Sequence, residues 1–317
     1  MPRLLACPDK LRGTLTAAEA AAAIAAGAAR AGWSAVELPL ADGGEGTLEA
    51  LGGGNRTTRV TGPLGEPVDA EWRLADGLAI IEAARACGLA LAGGPERNDP
   101  LGATSRGVGE LVAAALEAGA GSIMVAVGGV APTDGGAGAA EVLRPLAPLS
   151  APLDVACDVQ ARLLEAADVF APQKGATPEQ VVALRARLAK LDVPDLPGAG
   201  AAGGLAGGLA ALGAHLRPGF ELVAEHVRLD ERIAEADLVV TAEGALDETS
   251  FAGKVVGGVL RRAARAGVPA LVVAGEVAVA VPPPASALSL LERCGRERAL
   301  TEPAACLEDV VAAALTS

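Results

Sequence analysis

Four apolar runs in this chain end in an acidic residue: Cys7-Pro8-Asp9, Leu40-Ala41-Asp42, Ala156-Cys157-Asp158 and Thr241-Ala242-Glu243. Each run reads as a β-strand. In open α/β sheets ligands bind outside the carboxyl ends of the strands, so the four acids are candidates to converge on one cleft. Taken singly, an acid in that position more often caps a helix or forms a turn. Lys10, Arg12, Lys174 and Lys254 each stand beside glycine or a strand end, where a cation can reach an anionic ligand. A lone lysine on an acidic surface is ordinarily just solvated.

Three glycine-rich stretches could present backbone N–H groups to phosphate at a helix start: Asp42 to Gly46, Gly128 to Gly138 and Gly198 to Gly204. The third contains a literal GxGxxG. Its context is poor, because LDVPDLP before it makes a weak strand and LAGGLAALGA after it a weak helix. A Walker A loop is absent, since Gly253-Lys254 is followed by Val255 and Glu248 stands where the first glycine should be.

Composition narrows the chemistry further. With two His, five Cys and no Tyr among 317 residues, a mechanism needing several imidazoles, a tyrosyl acid or a multi-cysteine metal cage has almost nothing to work with. Carboxylates, lysines, arginines and main-chain amides must carry it. His215 and His226 belong to no motif and read as structural. The cysteines are scattered, odd in number and never spaced CxxC, which fits a reducing cytoplasm. A net charge of −13 with three Phe and two Trp excludes the basic, aromatic footprint of a nucleic-acid binder. The opening MPRLLACPDK is too short an apolar run for a signal peptide or a membrane span and reads as a first strand.

The elements that must position these groups follow from caps and breakers. Thr16-Ala-Ala-Glu19 is a capping box opening a helix toward Gly32, and Thr177-Pro-Glu-Gln180 joins the same box to proline at the first helical position. Residues 34–41 form a second strand, followed by a short helix near Thr47. From about Thr57 the strands TTRVTGPLG, PVDAEWRL and LAIIEAA follow one another without long helices, which predicts an antiparallel or mixed segment. A helix at 107–119, strands at 122–127 and 153–157, and a last third alternating strand and helix, with a strand at 287–291, complete the pattern. The expected fold is α/β: a discontinuous, parallel-sheet, flavodoxin- or Rossmann-like domain (residues 1–59 and 222–317) with a mixed α/β domain (60–221) inserted.

The ordered segments Pro8-Asp-Lys-Leu-Arg-Gly-Thr-Leu15, Ala41-Asp-Gly-Gly-Glu-Gly-Thr47, Thr61-Gly-Pro-Leu-Gly65, Asp99-Pro-Leu-Gly-Ala-Thr-Ser-Arg-Gly107, Ala156-Cys-Asp-Val159, Phe170-Ala-Pro-Gln-Lys-Gly-Ala176 and Pro197-Gly-Ala-Gly-Ala-Ala-Gly-Gly204 resemble the type I (bacterial) glycerate kinases. The resemblance implies two α/β domains and transfer of a phosphoryl group from ATP, with Mg²⁺, to D-glycerate in the cleft between the domains, the 2-phosphoglycerate product being favoured. Phosphoryl transfer suits this composition, because it needs positioned cations and carboxylates more than covalent chemistry.

On that resemblance Asp158 or Asp42 lies near the attacking hydroxyl. Lys10, Arg12 and Lys174 neutralise the glycerate carboxylate and the transferring group. Asp9 and Gly200 join Lys10 and Arg12 around the substrate. Gly128, Gly129, Asp134, Gly135, Gly136 and Lys254 meet the nucleotide, and Glu45, Glu243 or Asp247 helps hold magnesium. The chain departs from the family at Val130, Pro132 and Thr133, at residues 160–168, and at Ala245, where the family has an arginine. Two other readings stay open: a dinucleotide-dependent oxidoreductase of a small hydroxy acid, resting on Gly198 to Gly203, and a non-catalytic ligand-binding relative of the kinase. Neither a nucleic acid nor a membrane is expected as partner, and a homodimer is the base-rate expectation.

Overall fold

The computed structural model describes residues 1–11, 13–251 and 253–316. Its strands are β1 (Arg3–Ala6), β2 (Ser34–Glu37), β3 (Arg56–Thr61), β4 (Pro67–Ala75), β5 (Leu78–Glu82), β6 (Ser122–Ala126), β7 (Leu153–Ala156), β8 (His215–Arg217), β9 (Leu238–Leu246), β10 (Ala270–Val277) and β11 (Ser286–Ser289). The chain divides into two compact units, one of Met1–Asp42, Glu49–Leu51 and Phe220–Ser317, the other of Gly43–Leu48 and Gly52–Gly219.

The first unit holds a five-stranded sheet in the order β11-β10-β9-β1-β2 with every neighbouring pair parallel. Within the unit this is the doubly wound 2-1-3-4-5 order, whose switch point falls between β1 and β9. Both faces of the central strands are buried: Leu4, Ala6, Val240, Ala242, Leu271 and Val273 join one core with Ile24, Leu307 and Val311, while Leu5, Val239 and Val272 are equally covered. Such burial explains why these strands read as continuous apolar runs rather than alternating ones. The helix Ala17–Arg30 starts with the Thr16 capping box, complete with the reciprocal Glu19 bond. It packs on Pro303–Thr316 through Gly27, where a Cβ would stand 2.5 Å from the Glu308 carbonyl oxygen.

The second unit holds a six-stranded sheet, β3-β4-β5-β6-β7-β8, antiparallel from β3 to β5 and parallel from β5 to β8. Trp72 anchors the antiparallel edge, its indole N–H donating to Thr58 at 2.9 Å. Ile81, Val125 and Val155 meet Val108, Leu111 and Leu205 in the core beneath. The second capping box also forms, with Thr177 and Gln180 bonded reciprocally at the head of Pro178–Leu188.

Three elements differ from the sequence reading. Residues 205–210 form a helix despite two glycines, because Gly207 and Gly208 let it approach the backbone of Ala199 and Gly136. The strand His215–Arg217 is short and polar, and β7 templates it, with the Arg217 carbonyl accepting from the Cys157 amide. The strand expected at 287–291 stops at Ser289, whose hydroxyl accepts from the Glu292 amide and starts the helix Leu290–Cys294. No helix among the described residues is long and apolar enough to cross a membrane.

Replacing Gly27 with alanine should reverse the usual gain in helix propensity, because the added methyl meets main chain that cannot move aside cheaply. Overpacking of this kind costs about 1–3 kcal/mol. Urea denaturation of Gly27→Ala should therefore show a lower midpoint, and an unchanged or higher midpoint would contradict this view of the helix contact.

Candidate active site

Parallel pairing carries on past the ends of the strands in the first unit. The Asp9 amide donates to the Ala242 carbonyl at 2.9 Å, and the Leu40 amide to the Pro8 carbonyl at 2.9 Å. These bonds hold the segment after β1 beside β9 and the segment after β2 beside that of β1, so Asp9 and Asp42 stand beyond the ends of β1 and β2 while Glu243, within β9, follows the Ala242 that Asp9 bonds, around the switch point.

The crowding is visible in their protonation. Burial, then the neighbouring Asp42 and more weakly Glu243, push Asp9 up to about 7, against the pull of the Lys10 amide and ammonium. That amide donates to Asp9 Oδ1 at 2.7 Å. Burial also raises Glu243, opposed by Ser250 and Lys254, and its Oε1 is buried without a hydrogen-bond partner. An orphaned, desolvated carboxylate oxygen is costly, and a cation is the group that suits it. Among the described residues no three Asp, Glu, His or Cys side chains converge closely enough to hold a metal ion by themselves. Magnesium does not need such a cage, since it binds through one or two carboxylates, with waters and phosphate oxygens completing its shell. The donor set therefore fits magnesium at Glu243.

Asp247 and Lys254 belong to this unit as well. Asp247 Oδ1 accepts from the Thr249 amide (2.7 Å), the Thr249 hydroxyl (2.6 Å) and the Ser250 amide (3.2 Å), which starts the 3₁₀ turn Glu248–Phe251 and holds its carboxyl below the usual range. Lys254 Nζ donates to the Thr249 hydroxyl at 3.0 Å.

In the second unit the Gly128–Gly138 loop follows β6. Its shape depends on Asp134, which is buried and accepts four hydrogen bonds: from the Ser105 amide (2.9 Å), the Ser105 hydroxyl (2.8 Å), the Gly138 amide (3.1 Å) and the Gly136 amide (3.0 Å). The Gly135 amide donates to the Gly203 carbonyl at 3.0 Å. Gly128 and Gly129 lie at the loop's more accessible end, where a Cβ on Gly128 would stand 3.0 Å from Gly44 Cα and one on Gly129 3.5 Å from Glu45 Oε2. Lys174 is buried, and its Nζ donates to the Pro132 carbonyl at 2.7 Å. Asp158, exposed after β7, accepts from the Gly219 amide at 2.8 Å. Glu82, at the end of β5 and 1% exposed, accepts from the Gly46 and Leu48 amides and so anchors the Asp42-Gly-Gly-Glu-Gly loop.

The sequence profile of the glycerate kinase family matches residues 4–147 and 143–314. The chain belongs to the glycerate kinase family. It is 39% identical over 326 residues to the glycerate 2-kinase of Escherichia coli K12, covering 87% of this chain and 85% of that protein. It is 37% identical over 328 residues to a glycerate kinase of Halalkalibacterium halodurans, covering 87% of this chain and 86% of that one. A crystal structure described as a glycerate kinase 2 from Salmonella typhimurium LT2 superposes with a TM-score of 0.85 at 34% identity, covering 99% of this chain and 97% of the other.

Against the residues expected for a family member, the structure gathers Asp9, Lys10, Asp42, Glu243, Asp247 and Lys254 in the first unit. Asp158, the fourth strand-end acid, belongs to the second unit, as do Glu45, Lys174, Gly200 and the Gly128–Gly138 loop. Arg12 lies outside the described residues. Lys254, expected with the nucleotide glycines, acts electrostatically on Glu243.

Gly135, Gly136 and Asp134 are bonded within the protein through their amides and carboxylate, and the two glycines permit close packing. A Cβ on Gly135 would come within 2.1 Å of Leu191, and one on Gly136 within 2.9 Å of Gly208. Gly200 is likewise a packing glycine: its amide donates to Ala161, and a Cβ would meet the Arg162 carbonyl at 2.3 Å. The GxGxxG at 198–203 follows no strand and leads into the 3₁₀ turn Ala201–Gly204, which removes the support for a dinucleotide-dependent oxidoreductase. Ser105 and Glu82 went unnoticed in the sequence. Ser105 carries a small signal, standing just before a helix.

Asp134→Asn should loosen the glycine loop, since a carboxamide turns an –NH₂ toward amides that need an acceptor. An unsatisfied buried group costs about 1–3 kcal/mol. The expected result is a lower melting temperature, and full retention of stability would contradict the clamp assigned to Asp134.

Proposed function

We propose that the protein is an ATP- and Mg²⁺-dependent kinase that phosphorylates D-glycerate at its 2-hydroxyl. The observation that carries this reading is the Asp9–Asp42 pair at the sheet's switch point, with Asp9 held near neutrality. A general base works best when its pKa lies near the operating pH, and a neighbouring carboxylate charge raises the pKa of a buried one. The 2-hydroxyl is favoured by the name of the Escherichia coli relative and by the family resemblance. Five free cysteines agree with a reducing cytoplasmic setting.

In this proposal Asp9 and Asp42 orient the attacking hydroxyl and accept its proton as the phosphorus–oxygen bond forms. Lys10, beside them, meets the glycerate carboxylate through a charge-assisted hydrogen bond. Glu243 would hold magnesium, with Lys254 restraining the charge around it. When bound, the ion would neutralise charge on the transferring phosphoryl group. The nucleotide side falls to the amides of Gly128 and Gly129 in the second unit, with Glu45 beside them. Asp158 is assigned no proton transfer, because its carboxylate is exposed to solvent after β7.

The pH dependence follows with a definite sign. The Asp9 carboxyl is raised from 3.8 to about 7 in the folded protein, so it becomes a competent base only above about 7. Between those two values the folded chain holds a proton that the unfolded chain lacks, and stability falls as pH rises. A steady-state assay of ADP release with D-glycerate should show kcat/KM for glycerate declining below about pH 7. Asp9→Asn should lower kcat at least about 10²-fold. The same variant should melt higher than the parent at pH 8, an advantage that fades as pH falls from 7 to 4. Near-normal turnover by folded Asp9→Asn would remove Asp9 from the mechanism.

A further inference from the structure

Lys174 is one of only two buried cations among the described residues, the other being Arg262. Arg262 is paired with Glu221 and Asp230, whereas the bond that Lys174 Nζ makes is to a main-chain carbonyl, that of Pro132. The nearby Asp134 carboxylate is already accepting from Ser105, Gly136 and Gly138. Burying an ammonium against a neutral acceptor is expensive, and an uncharged donor would satisfy the same carbonyl.

The surroundings are built for this contact. Gly203, at a φ of +69°, leaves room for it: a Cβ there would stand 2.2 Å from the Pro132 oxygen and 3.0 Å from Lys174 Nζ. Asn98 Nδ2 donates to the Lys174 carbonyl at 2.9 Å and reaches the Ala131 carbonyl at 3.4 Å, while its Oδ1 is buried without a partner. The same stretch of loop is tied at two more points, the Gly129 carbonyl by the Leu89 amide and the Ala131 amide by the Cys87 carbonyl, each at 2.8 Å. The main chain from Gly129 to Pro132 is thus fixed from behind.

We infer that Lys174 is a positioning residue, its buried ammonium holding the Gly128–Thr133 main chain in the shape that receives an anionic phosphate of the nucleotide, without touching that ligand. The identity of the anion rests on the kinase reading above, but the holding of the loop does not. The ionisable groups around Lys174 are Cys87, whose thiol burial keeps protonated far above its ordinary range, and the Asp134 carboxylate. Burial outweighs the pull of that carboxylate and pushes Lys174 down to about 8. The charge on the loop's anchor is therefore lost just above neutrality.

This gives two effects of opposite sign. Between about 8 and the ordinary lysine value of 10.5 the unfolded chain binds a proton that the folded chain has released, so stability rises with pH. Across the same range the bond to Pro132 weakens. A merely structural lysine would move stability and nucleotide affinity together.

The test combines the wild-type protein with Lys174→Met and Asn98→Ala. In the wild type, kcat/KM for MgATP should fall at least fivefold between pH 7.5 and 9.5, while KM for glycerate stays within twofold. In Lys174→Met it should already be low at pH 7.5 and should stay flat. Hydrogen exchange followed by mass spectrometry needs no turnover, and it should show the amides of residues 128–131 and 133 exchanging at least tenfold faster in both variants at pH 7. Failure to form a phosphoglycerate would count against the kinase reading alone, leaving the exchange experiment to judge the anchor. Unchanged loop exchange in Lys174→Met, a flat wild-type profile, or a loss confined to the glycerate KM would each overturn the inference.

Discussion

Parallel pairing of β9, β1 and β2 brings the residues that follow β1 and β2 onto one edge of the sheet beside the later part of β9, and in this chain each of the three brings a carboxylate. Main-chain bonds from Asp9 to Ala242 and from Leu40 to Pro8 leave the segments no freedom to splay apart. Asp9 is held in a largely desolvated position with Asp42 nearby, and that burial, reinforced by the Asp42 charge, raises the Asp9 pKa. A fold buried on both faces can sustain such a site, because the apolar contacts of Leu4, Leu5, Val239 and Val240 do not depend on the charge state at the strand ends. The same edge is where a doubly wound sheet ordinarily receives its ligand.

The second unit answers a different problem, that of keeping a glycine-rich loop in a single conformation. Glycine makes the loop's turns accessible and also makes them entropically costly to hold. Asp134 gathers three residues' donors with one carboxylate, Glu82 gathers two amides of the preceding loop, and Gly135 and Gly136 are pressed against neighbouring helices. Most of the loop is therefore scaffold. The end that remains accessible, Gly128 and Gly129, is short and adjoins Glu45.

Much of this was readable in the sequence wherever the signal is local. The capping boxes at Thr16 and Thr177 start the helices they announce, and the strands without intervening helices after Thr57 form the antiparallel edge of a mixed sheet. The acids at the strand ends were visible one by one. Their division between two sheets was not, because the strand orders that place Asp9, Asp42 and Glu243 on one sheet and Asp158 on the other are encoded in no local pattern. Tertiary contacts also decide the helix at Leu205–Ala210, whose glycines look like breakers until the backbone they pack against is known. The burial of Lys174 is a further case: a lysine beside glycine looks solvent-facing, and only its packing against Gly203 and Pro132 turns it inward.

The central claim is that the carboxylate edge of the first unit serves phosphoryl transfer to a hydroxy acid, and ³¹P NMR of the purified protein with ATP, Mg²⁺ and D-glycerate tests it most directly. The account predicts a new resonance at the position of 2-phosphoglycerate, growing in step with ADP. ATP that stays intact while glycerate still raises the melting temperature would contradict it, and would make the protein a binder of its family's substrate.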